Sequence, residues 1–168
     1  MGAPNGGSLL LALSEHSAPI SLLLVHTESD DREMYADYLR SEGFDVQEAA
    51  TTDGALQLLP QATAVITGLL LPGSIDPVDL ITRVRQEWSS TPVIVLTACA
   101  DKDRLVRAQV AGADAVLLKP CLPDALLRSV LEAIEANDIR RAIPPARRRL
   151  SERRTGLRGG GRRESDQT

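Results

Sequence analysis

Short, continuous apolar runs at residues 20–25, 64–67, 92–96 and 115–118 punctuate the chain, with a more mixed run at 45–49. Runs of this length suit strands buried on both faces of a sheet. The segments between them repeat apolar residues at helical spacing. Met34, Tyr35, Tyr38 and Leu39 mark a first helix that Asp30 or Asp31 can cap and that Gly43 ends. Ala55, Leu56, Leu58 and Leu59 mark a second, opened by Thr52 and Asp53 and stopped near Pro60. Residues 76–88 form a third, with Pro77 at a position where its missing N–H costs nothing. Residues 101–111, stopped by Gly112, and 122–137 complete the set. Strand and helix alternate five times, which predicts an open parallel sheet with helices on both sides.

Composition fits that architecture. Hydrophobic residues make up 43% of the chain and aromatics only 2%, so Leu, Val, Ile and Ala must fill the core. Cys99 and Cys121 are the only cysteines, too few for a disulfide framework. No run of about 18 apolar residues occurs, so a spanning helix is not expected, and a cytoplasmic location is. Residues 1–18, rich in Gly, Ser and Pro, read as a flexible leader, 19–139 as the folded domain, and 140–168 as a disordered Arg/Gly-rich tail.

Charge is segregated along the chain. Residues 140–168 hold ten Arg against Glu152, Glu164 and Asp166, a balance of +7, while everything before them holds nine basic and twenty acidic residues, −11. Arg147, Arg148, Arg149, Arg153 and Arg154 are candidates for contact with nucleic-acid phosphate. The tail has no aromatic to stack on bases and no apolar stripe for membrane insertion. A solvated tail, or one folded back on the acidic domain, accounts for the same pattern.

In an open α/β sheet the site lies beyond the carboxyl ends of the strands. The residues there are His26, Thr27 and Glu28; Gly68; Thr97, Ala98 and Cys99; and Lys119, Pro120 and Cys121. In this setting the chain resembles the receiver domains of bacterial response regulators. The strings that carry the resemblance are Leu22-Leu23-Leu24-Val25, Arg40-Ser41-Glu42-Gly43-Phe44-Asp45-Val46 and Gly68-Leu69-Leu70-Leu71-Pro72-Gly73. The run from Pro92 to Ala98, the run from Ala111 to Pro120, and Pro123-Asp124-Ala125-Leu126-Leu127 follow in order. The resemblance implies a flavodoxin-like (βα)5 doubly wound sheet with strand order 2-1-3-4-5, working in two-component phosphorelay signalling.

It also implies a chemistry. Receivers let one Asp attack a phosphoryl donor, with Mg²⁺ held by a carboxylate pair after the first strand. A Thr or Ser and a Lys contact the phosphoryl oxygens. Thr97 and Lys119 match the last two. The nucleophile position is Gly68, the acidic pair is His26 and Thr27, and the aromatic three places before the Lys is Val116. No carboxylate lies between Asp53 and Asp76 to take over. The expectation is a receiver without the phosphoacceptor and without Mg²⁺, no enzyme, acting as a phosphorylation-independent interaction module. Lys119 is left without a carboxylate partner, which is tolerable if it points to water.

Partners follow from the same resemblance. A kinase or effector would meet the face of the fourth helix, fifth strand and fifth helix, carrying Arg104, Arg107, Gln109 and residues from 122–131; a homodimer would use it too. The alternative reading is a nucleic-acid-associated regulator that binds through its tail. His26, Cys99 and Cys121 could be three zinc ligands, but lack the close spacing and the fourth ligand of a tetrahedral site.

Overall fold

The computed structural model describes residues 20–142. Its strands are β1 (Ser21–Val25), β2 (Asp45–Ala49), β3 (Ala64–Thr67), β4 (Val93–Thr97) and β5 (Ala115–Leu118). They alternate with helices α1 (Ser29–Ser41), α2 (Thr52–Leu58), α3 (Pro77–Glu87), α4 (Lys102–Ala111) and α5 (Pro123–Ala142), and a 3-10 turn at Leu59–Gln61 carries Pro60. All pairings are parallel, and the order is β2-β1-β3-β4-β5, the doubly wound arrangement expected.

Alternate residues of each strand feed two cores. Leu22, Leu24, Ile66, Ile94 and Leu96 face α1 and α5, meeting Tyr35, Leu39, Leu126 and Val130. Leu23, Val25, Val65, Val93 and Val95 face α2, α3 and α4, meeting Ala55, Leu80, Ile81, Val84 and Ala108. Burial on both faces explains why the central strands are continuously apolar. β5 is an edge strand whose residues are only partly covered.

Three local expectations change. α1 is entered through Glu28 with no side-chain cap, and Asp30 and Asp31 lie in its first turn, where the helix dipole favours carboxylates. Its inward face is Tyr35, Ala36 and Leu39, while Met34 is exposed. α5 runs five residues past Asn137, so Arg140–Ala142, assigned to the tail, are helical. Arg and Ala are good helix formers, so Arg140, Arg141 and Ala142 extend the helix without cost. The remainder of the tail, including Arg147, Arg148, Arg149, Arg153 and Arg154, lies outside the described residues, as does the leader. Among the described residues no helix is long and apolar enough to cross a membrane.

Candidate functional site

Strand order reverses between β1 and β3, whose carboxyl ends therefore open a crevice. His26 and Thr27 leave β1, Gly68 leaves β3, Thr97 ends β4 and Lys119 follows β5, and all five line one pocket with Glu28 and Leu69–Leu71. The register that brings them level pairs Val25 with Thr67 and Thr97 with Leu118.

Gly68 is not a glycine of necessity. Its φ is not positive, and a Cβ there would find its nearest neighbour, the Leu96 carbonyl oxygen, at 3.7 Å. A Cβ therefore has room there, and the backbone does not demand glycine. Thr97 is buried, and its hydroxyl accepts the Cys99 N–H at 3.0 Å. Val116 packs into the core under α4.

Lys119 does not point to water. Its side chain is 15% exposed, and its ammonium donates to Asp31 Oδ2 at 2.6 Å and contacts His26 Nε2. The carboxylate partner that the β1 end lacks is thus supplied from the first turn of α1. Asp31 is held below the usual carboxylate range by that hydrogen bond. His26 is itself nearly buried, and burial, followed by the Lys119 charge, lowers its pKa below 6.5 despite the nearby Asp31 and Glu28.

Arginines brace the surrounding turns. Arg32 donates to the His26 carbonyl at 2.7 Å and to Glu48 at 3.3 Å, fixing the β1–α1 turn against β2. Arg104 places two N–H groups on the Leu69 carbonyl, at 3.1 and 2.9 Å, and pairs with Asp76 at 3.0 Å. Asp76 also caps α3 through the Val78 N–H at 2.8 Å. Arg104 therefore ties α4 to the β3–α3 loop rather than standing on an open partner face. Arg107 and Gln109 are exposed, as are Val106, Val110, Leu118 and Leu122, but Leu126, Leu127, Val130 and Leu131 belong to the core. The i,i+4 pairs Leu126/Val130 and Leu127/Leu131 are the sequence signal for that burial.

The thiols give little chemistry. Cys99 and Cys121 are free and half-buried, and burial raises the Cys121 thiol pKa. With His26 they form no metal-holding group, and none exists among the described residues. Mg²⁺ takes an oxygen-rich shell, and the carboxylates present are Glu28, which lines the pocket, and Asp31, which is held by Lys119. An imidazole, a threonine and a glycine stand where three carboxylates would, with an ammonium beside them.

Fold and pocket together define a class, and comparison with known proteins agrees. The model of the response regulator receiver domain family matches residues 22–131, and the chain belongs to that family, the receiver domain of two-component systems. Among its relatives is the transcriptional regulatory protein SrrA of Staphylococcus aureus, 29% identical over 131 residues, 75% of this chain and 54% of that protein. The chain thus spans about half the length of the curated relatives it matches. The signal receiver domain of an HD domain-containing protein from Pseudomonas fluorescens is 27% identical with a TM-score of 0.68, covering 72% of this chain and 98% of that one. A CheY-like receiver domain protein from Methanospirillum hungatei, 22% identical, shares the fold with a TM-score of 0.69 over 73% and 99% of the two chains.

Proposed function

We propose that this receiver domain signals without an aspartyl phosphate, as a phosphorylation-independent interaction module of the cytoplasm that neither binds Mg²⁺ nor catalyses a reaction. One observation carries the reading: Gly68 holds the nucleophile position while Asp31, from within the chain, satisfies the Lys119 ammonium. A kinase or effector, or a second copy, would dock on the face of α4, β5 and the start of α5, where Val106, Val110, Leu118 and Leu122 are exposed. The test is intact mass after incubation with Mg²⁺ and a small acyl phosphate. No acid-stable, base-labile phosphoryl adduct is expected, and its appearance overturns the reading.

A second reading, a nucleic-acid-associated regulator, is favoured by the +7 balance of residues 140–168. The name of the Staphylococcus relative points the same way. Binding to a DNA duplex is compared across a salt series for the full chain and a truncation after Ala142. On this reading the full chain binds more tightly at low salt, and the advantage shrinks linearly with log salt. Equal affinities remove it.

A further inference from the structure

Both nitrogens of the His26 ring face hydrogen-bond donors. The Lys119 ammonium, which has no lone pair, contacts Nε2, and the Glu28 backbone N–H lies 3.2 Å from Nδ1. A neutral imidazole has one lone pair: with its proton on Nδ1 it accepts from the Lys119 ammonium at Nε2, the charged and closer donor, and forgoes the longer Glu28 contact. An imidazolium has none, so both of its N–H groups would meet N–H groups, one of them on a cation. The residue is only 8% exposed, which leaves little water to relieve that conflict.

We propose that His26 and Lys119 form a proton-operated switch: a neutral His26 keeps Lys119 in the pocket, and protonation expels it. The proposal rests on the reading of this pocket as free of metal and phosphoryl group, and supplies the switch that reading leaves open. The charged groups around the ring are Lys119 after β5, Asp31 on α1 and Glu28 in the turn between β1 and α1. The sides formed by β3 and β4 present Gly68, Leu69, Thr97 and Ala98, none of them charged. Glu48, at the end of β2, is paired with Arg32 and Arg40. Asp31 alone stabilises both cations and cannot separate them, since it already accepts from Lys119.

The output lies next to the input. Lys119 adjoins Leu118 and is followed within three residues by Leu122, both exposed, while its backbone N–H bonds the Thr97 carbonyl at 2.9 Å. Expelling the ammonium therefore alters the surface between β5 and α5. Energetically the sign is set by the lowered pKa of His26. The stability it confers is present in full above about 6.5 and is lost as pH falls through the folded value.

The experiment is an NMR pH titration of the full chain. The His26 ring signal is distinguished from His16 by the variant His26→Gln, whose side-chain oxygen still accepts from Lys119. The expected result is a His26 midpoint below 6.5, with the Lys119 side-chain and Leu118–Leu122 amide signals shifting at the same midpoint. Lys119→Met raises the midpoint and Asp31→Asn lowers it. A midpoint at or above 6.5, or a titrating ring with Lys119 and its neighbours unmoved, overturns the switch. Should His26→Gln not fold, His16→Gln assigns the remaining ring signal to His26 and the titration is read in that variant. A flat Lys119 response leaves the adduct-free reading standing, whereas a phosphoryl adduct by mass removes that reading whatever the titration gives.

Discussion

Gly68→Asp should fold normally and still gain almost no phosphoryl adduct, whereas His26→Asp, Thr27→Asp and Gly68→Asp together should gain one that depends on Mg²⁺. The first half rests on space: nothing lies nearer than 3.7 Å to the Cβ position, so that atom displaces no neighbour, and Gly68 lines the pocket into which a carboxylate would extend. An isolated carboxylate is nevertheless a poor acceptor of a phosphoryl dianion, because no metal neutralises the charge between them. Restoring the pair after β1 supplies the oxygen ligands, and Lys119 and Thr97 already line the same pocket. Each electrostatic contact to the transferring group is worth on the order of 10²-fold, so the triple variant should exceed Gly68→Asp by at least that. Stability gives an independent readout. Three clustered carboxylates repel one another, and Mg²⁺ at about 100 Kd returns about 2.7 kcal/mol. The melting temperature of the triple variant should rise with Mg²⁺, and that of the parent chain should not. A folded triple variant that ignores both Mg²⁺ and acyl phosphate would mean that more than three side chains separate this pocket from a working one.

The same pocket shows what sequence reveals and what it hides. Continuous apolar runs are enough to place β1, β3 and β4 to within a residue, because strands buried on both faces admit almost nothing else; β5 is legible by the same kind of run, though as an edge strand it is only partly covered. Gly68, His26, Thr27, Thr97 and Lys119 could be assigned to one crevice because strand ends and family strings are local in sequence. The partner of Lys119 could not. Asp31 lies 88 residues away, on a helix turn where an Asp reads equally well as a cap. Arg104 is hidden for the same reason. On a helix with one fully buried residue, Ala108, an arginine looks like surface, and its bond to Leu69 spans 35 residues. Polar side chains with long reach are placed by tertiary contacts, which leave no period in the sequence. The end of α5 was missed by a gentler failure: charge segregation suggested a boundary, but charge does not end a helix.

Gly73→Ala should be among the most damaging single substitutions near the site, although Gly73 touches none of the pocket chemistry. Its φ is +143°, a conformation side chains rarely adopt, and an added Cβ would lie 1.9 Å from Thr52 Oγ1 and 3.0 Å from Thr52 N. Thr52 cannot simply move aside. It is fully buried, its N–H bonds the Pro72 carbonyl at 3.0 Å, and its hydroxyl bonds the Ile75 carbonyl at 3.0 Å. The neighbouring Asp53 accepts the Ser74 N–H at 3.0 Å, so the start of α2 grips the whole β3–α3 loop. Backbone strain of about 1–3 kcal/mol and one or two broken hydrogen bonds at about 1 kcal/mol each put the expected loss at roughly 2–5 kcal/mol. Urea unfolding of the full chain measures it. Thr52→Ala removes the hydroxyl and should cost about 1 kcal/mol alone. Combined with Gly73→Ala it should cost less than the two separately, because the closest clash disappears with the hydroxyl. The strain at φ and the contact with the Thr52 backbone remain, so the double variant does not return to the parent value. Strictly additive losses would mean that Gly73 is required for its own backbone conformation and not for the close approach of Thr52.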